Sequence, residues 1–218
     1  MTTKKYQQFK ILLAFAALSI LIAFYFILDT KSELPILGPK DFNPELVDAH
    51  LQSKEELHMV DDFHLINQNG DIVTQVDYKN KIYVTDFFFT RCPSICPIMA
   101  NNMGKLQETF IHNDDIMFLS VSVTPEMDNV PILNDYAERH GAVDSRWNIT
   151  TGDKKHIYNL ARKSYFAAVD EGDGGLQDFI HTPNFVLVDK RKRIRGVYDG
   201  TNDEEIGRLI RDIEKLAE

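Results

Sequence analysis

The chain has 218 residues, of which 44% are hydrophobic and 26% charged. That balance excludes wholesale disorder and fibrous repeats, and it allows one domain with a sizeable core. A net charge of −9, from 24 basic and 33 acidic residues, argues against a nucleic-acid partner, and two cysteines exclude a disulfide-rich scaffold and a four-cysteine zinc site.

Residues 1–10 form a short segment that carries Lys4, Lys5 and Lys10. Ile11 to Leu28 follow as 18 residues without a charge. As a helix they reach roughly 27 Å, close to the hydrocarbon thickness of a bilayer. A buried core helix keeps a polar face, and this run has none. Lysines before the run, and nearly cancelling charges after it (Asp29, Lys31, Glu33), point the N-terminus to the cytoplasm. The run is longer than a signal-peptide core and lacks a small-x-small cleavage site after it. The expectation is a single uncleaved transmembrane helix in a bacterial inner membrane, with the remainder in the periplasm. A mitochondrial inner membrane fits less well, because no Arg- and Ser-rich transit segment is present. Residues 29–57, with Pro35, Pro39 and Pro44, are expected to form a linker, and His50 and His58 to be solvated at its far end.

Residues 58–218 alternate between strand and helix patterns. Phe63 to Ile66 and Ile72 to Val76 flank Asn69-Gly70, a hairpin signal. Lys81 to Thr90 and Ile116 to Val123 read as strands buried on both faces. Helical patterns run from Pro97 to about Phe110, from Asp128 to His140 with Gly141 as terminator, and from Asp153 to Lys163 with Asp153 as cap. Trp147 to Thr150 is a short strand. Phe185 to Asp189 and Ile194 to Tyr198 form a hairpin across a basic knuckle, Lys190 to Arg193 with Arg195. That knuckle is a solvated sheet edge or an electrostatic dock for an acidic partner or the anionic membrane surface. Asp203 to Leu216 closes the chain as an amphipathic helix. The fold class is α/β, a central mixed sheet covered by helices. Thioredoxin-like folds have this order of elements.

Both cysteines lie in Arg91-Cys92-Pro93-Ser94-Ile95-Cys96-Pro97, directly after a buried strand. Pro97 suits the first position of a helix, which places Cys96 at or beside the N-cap and Cys92 in the preceding turn. Free amides and partial positive charge there favour thiolates. Side chains four positions apart have Cβ atoms roughly 5–6 Å apart, which permits a disulfide or a two-sulfur clamp on a soft ion such as Cu(I) or Zn(II). A purely structural disulfide closing so short a loop adds little stability. The three-residue gap, against two in thioredoxin-type oxidoreductases, favours the clamp without forbidding exchange.

A third ligand is then the question. His112, His140 and His156 fall on polar helical patterns, and His64 lies in the first hairpin. His181 follows a loop, Asp170 to Gly175, in which three of six residues are glycine, and precedes a buried strand. Taken alone, such a histidine is more often satisfied or solvated than a ligand.

Four stretches together resemble the Sco (SenC) family of membrane-anchored copper proteins: Asp86-Phe-Phe-Phe-Thr-Arg-Cys-Pro-Ser-Ile-Cys-Pro-Ile-Met99, the Val-Ser-Val-Thr-Pro-Glu-Met-Asp segment ending at Asp128, Thr151-Gly-Asp153, and Phe179-Ile-His-Thr-Pro-Asn-Phe-Val-Leu-Val-Asp189. The resemblance covers roughly residues 58–216. It implies a thioredoxin-like fold and copper, Cu(I) or Cu(II), held by Cys92, Cys96 and His181. It implies a metallochaperone rather than an enzyme, delivering copper to the dinuclear centre of cytochrome c oxidase. Its partners are then the oxidase's copper-bearing subunit, other copper chaperones and the membrane. The alternative is a thiol-disulfide oxidoreductase with Cys92 and Cys96 as the redox pair. The chain departs from the family at Thr124, where many members have Asp before the proline, and at Ile180, where many have Asp before the histidine. Both departures bear on the tuning of copper rather than on the ligand set.

Overall fold

The computed structural model describes residues 10–13, 15–20, 33–42, 47, 58–168 and 179–218. Two compact units divide at Glu33. In the first, residues 10–13 and 15–20 are helical and exposed. Among the described residues no helix is long and apolar enough to cross a membrane, and residues 21–28 of the expected anchor lie outside them.

In the second unit, Leu34–Glu218, the described residues form one mixed sheet of seven strands. The strands are β1 (His64–Asn67), β2 (Ile72–Thr74), β3 (Ile82–Phe88), β4 (Ile116–Ser122), β5 (Trp147–Thr151), β6 (Asn184–Val188) and β7 (Ile194–Asp199). They stand in the order β2-β1-β5-β4-β3-β6-β7. The three central strands are parallel, and β1 and β6 join them antiparallel on either side. Every residue of β3 and β5 is buried, as expected for parallel strands covered on both faces.

Alternation along β3 sorts the two layers. Ile82, Val84 and Phe88 face α1 (Ile95–Thr109), α2 (Val130–His140) and α4 (Asp203–Ala217), through Met99, Met103, Leu133, Leu209 and Ile213. Tyr83 and Phe87 face the opposite layer. It holds α3 (Lys154–Asn159), the π-type turn Leu160–Ser164 that continues it, and the segment around Val60 and Phe63.

Local chemistry accounts for the element ends. Asn129 Oδ1 accepts from Ile132 N at 3.2 Å, and Gly141 at φ 66° ends α2 in the left-handed region. Asp153 accepts from His156 N, as the sequence predicts. The expected Asp153–Lys163 helix widens into the π-type turn after Asn159. α1 begins at Ile95, two residues before the predicted Pro97. The first-turn amides of a helix lack intrahelical partners, so a proline is tolerated at the third position as well as the first. Cys96 therefore lies inside the first turn.

The segment expected as a free linker contributes to the sheet edge. Leu37 pairs with Ile194 as an isolated bridge, and the Arg195 guanidinium donates to Pro35 O at 2.9 Å and to Leu34 O. His58, expected in solvent, is half-buried. Its Nε2 donates to Ser164 O at 2.6 Å, and its ring lies 4.5 Å from that of Phe166. His50 is outside the described residues.

Candidate metal centre

The site forms where β3 ends. Val123 N donates to Phe88 O at 2.8 Å, tying the ends of β3 and β4. The chain then turns: Cys92 N donates to Phe89 O at 3.3 Å. Cys92 is thus presented just below the start of α1. Ser94, the N-cap residue, makes no capping bond. The cysteine sulfur takes that place, with Cys96 N donating to Cys92 Sγ at 3.5 Å. Ser94 Oγ is 3.6 Å from the same sulfur.

His181 arrives from a distant part of the chain. It precedes β6, the strand beside β3, and its Nε2 lies 3.6 Å from Cys92 Sγ across 89 positions. Its backbone is held from below: Thr182 Oγ1 and Asn184 Nδ2 both donate to Ala167 O, at 2.8 and 2.9 Å. Gly200 N donates to Pro183 O at 2.7 Å. The Thr182-Pro183 bond is trans. The Phe89 and Phe179 rings, 4.9 Å apart, flank the imidazole. His181 is exposed, whereas both cysteines are buried. Ile180 packs into the core. Asp178 and the loop Asp170 to Gly175 lie outside the described residues.

The two thiols are unlike. Burial pushes the Cys92 thiol up, but the amides of Cys96 and Ser94, the Ser94 hydroxyl and His181 outweigh it and bring the thiol down to about 6. Burial dominates at Cys96, and the neighbouring Cys92 adds to it, so that thiol is pushed up to about 12. One thiolate beside one neutral thiol is the expected resting state at neutral pH.

Sequence reading missed two buried acids near this turn. Asp86, in β3, accepts from Ser120 Oγ at 2.5 Å, its register partner on β4, and Trp147 Nε1 donates to Ser120 Oγ at 2.9 Å. Burial raises its carboxyl to about 7. Asp128, expected inside a helix, instead precedes the cap of α2 and turns inward. An acid inside an otherwise apolar run was the available signal for Asp86. Nothing local marks Asp128.

The remaining histidines stand elsewhere. His112 is exposed. His140 is half-buried against Tyr136, with ring centroids 4.4 Å apart, and burial lowers its pKa. His156 Nε2 accepts from His64 N at 3.3 Å. The basic knuckle is largely paired: Lys190 with Asp115, Lys192 with Asp62, and Arg193 and Arg195 with Asp189. That pairing weakens its reading as a dock. Among the described residues no three His, Cys, Asp or Glu side chains converge tightly enough to hold a metal ion as they stand.

The SCO1/SenC family model matches residues 51–218. The chain belongs to the SCO1/SenC family. A SCO1/SenC family lipoprotein from Bacillus anthracis shares 31% identity, covering 76% of this chain and 99% of its own, with a TM-score of 0.65. BsSco, described as a member of the Sco family of cytochrome c oxidase assembly proteins and as having a disulfide switch, shares 30%, covering 75% and 96%, with a TM-score of 0.63. Bradyrhizobium japonicum ScoI, solved with copper bound, shares 22%, covering 72% and 99%, with a TM-score of 0.57. That last likeness is one of fold. The thioredoxin-like α/β fold expected from the sequence matches these Sco structures.

Proposed function

We propose that this chain is a membrane-anchored copper chaperone of cytochrome c oxidase assembly. Cys92 and Cys96 hold copper through sulfur, and His181 supplies the third ligand. The observation that carries this reading is the 3.6 Å approach of His181 Nε2 to Cys92 Sγ across the β3–β6 junction. Two sulfurs suit Cu(I), and an added imidazole suits Cu(II) as well, so the donor set fits both ions. Ion binding on this reading gathers three side chains that do not converge without it. Copper is cargo: an exposed histidine can be exchanged first for a partner's ligand, with the buried sulfurs following. Family membership and the oxidase-assembly role of BsSco support the destination, the dinuclear copper centre of the oxidase. The uncharged run Ile11 to Leu28 supports an anchor with the domain in the periplasm.

The test is titration of the reduced full-length chain in detergent with copper under anaerobic conditions, followed by X-ray absorption at the copper edge. One equivalent bound through two sulfurs and one nitrogen is expected. His181→Ala is expected to lose Cu(II) retention while changing the Cys92–Cys96 disulfide potential only modestly. Weak or superstoichiometric binding without that ligand signature overturns the reading.

The unequal thiols favour a second reading, a disulfide reductase. The Cys92 thiolate attacks a partner disulfide, forms a mixed disulfide and releases one partner thiolate. Cys96, on losing its proton, attacks the Cys92 sulfur and releases the other. The partner gains two electrons and the chain ends as a Cys92–Cys96 disulfide.

A further inference from the structure

Asp128 is fully buried, and its carboxylate accepts four hydrogen bonds. Thr90 N donates to Oδ2 at 3.1 Å and Thr90 Oγ1 to Oδ1 at 2.6 Å. Ser122 Oγ and Thr124 Oγ1 donate to Oδ2 at 2.6 and 3.0 Å. The backbone closes the same knot: Asp128 N donates to Thr124 O at 2.9 Å, and Thr124 N to Ser122 Oγ at 3.2 Å. One carboxylate thus joins the turn leaving β3 to the turn leaving β4. Thr90, which gives it two bonds, lies two residues before Cys92 and inside the Phe89–Cys92 turn. The side-chain donors are all neutral hydroxyls, so hydrogen-bond geometry rather than an ion pair fixes the arrangement.

We propose that Asp128 is the positioning residue of the cysteine turn, holding Cys92 at the depth and orientation from which it meets His181. It touches neither sulfur and acts through Thr90. The inference rests on the copper-binding reading for its consequence. Groups that orient a ligand from outside the ligand set change metal affinity by about 10- to 100-fold when they are removed. Thr124 gains a role here as well: where many family members have Asp, its hydroxyl supplies one of the four donors.

The test uses the full-length chain in detergent. Asp128→Asn keeps the size of the side chain and removes one acceptor oxygen. Thr90→Val removes the hydroxyl bond and leaves the carboxylate. Asn202→Ala, which removes the α4 cap, serves as a control for general destabilisation. Each variant is read in two ways: the rate of copper loss to a chelator, and the rate of Cys92 alkylation in metal-free protein at one fixed pH. Asp128→Asn is expected to lose copper about 10 to 100 times faster, and its Cys92 to be alkylated faster. Thr90→Val shifts both in the same direction by a smaller factor, and Asn202→Ala shifts neither. Wild-type rates in folded Asp128→Asn and Thr90→Val overturn the proposal. If Asp128→Asn does not fold, Thr90→Val decides. If the wild type itself takes no copper, the chaperone reading falls, while the alkylation arm still decides the role of Asp128.

Discussion

At neutral pH the two sulfurs carry different charge, because the amides opening α1 point at only one of them. With its thiol down at about 6, Cys92 should reach half its limiting rate with iodoacetamide near that pH and approach the limit by about pH 8. Cys96, up at about 12, should resist throughout the neutral range. Mass spectrometry of the reduced chain across a pH series checks this, and equal labelling at pH 7 would contradict it. Asp86 makes a second prediction. Its folded value of about 7 lies above the ordinary ~3.9 of an aspartate. Between those values the folded chain keeps a proton that the unfolded chain has released, so this group's contribution makes stability fall as pH rises through the window. The full effect is up to about 4 kcal/mol for a shift of roughly three units. Asp86→Asn should therefore gain stability relative to wild type at pH 8 and show little gain near pH 4, read by urea unfolding at both. An identical difference at the two pH values would show that Asp86 is not the titrating group.

Among the elements, β6 and β7 place the histidine. Gly200 follows β7, and a Cβ there would meet Phe185 Cε1 at 2.6 Å and Pro183 O at 2.9 Å. Neither can retreat, since Phe185 is fully buried and Pro183 O is bonded to Gly200 N. Gly200→Ala should lower stability by about 1–3 kcal/mol, as overpacking does, measured as a reduced unfolding temperature. Element types and order were legible because β3 and β4 are largely apolar runs with few polar breaks and α4 carries a clean stripe. The exact helix starts were not. The start of α1 depends on Cys92 Sγ accepting from Cys96 N, and that of α2 on Asp128 turning away to bond Thr90. Both are choices made by neighbours in space.

At the scale of the whole molecule, residues 34–42 belong with the sheet unit rather than with a free tether. Arg195 secures them, bridging buried Asp189 to the carbonyls of Leu34 and Pro35. Arg195→Ala should free this strap while the sheet stays folded, because Asp189 keeps Arg193. Limited proteolysis is then expected to cut first within 34–42, and unchanged cleavage would show that the Leu37–Ile194 bridge alone suffices. The sequence by itself determined what is local: an 18-residue run without charge, buried strands alternating with helices, and two cysteines at a helix start that favours thiolate. Periodicity and short-range amide chemistry need no distant partner. The tertiary structure alone decided which distant groups meet that turn. His181 reaches Cys92 because β6 pairs with β3, and Asp128 clasps Thr90 because β4 lies on the other side of β3. That strand order follows from burying both sheet faces at once, a condition on the whole chain that no short segment carries.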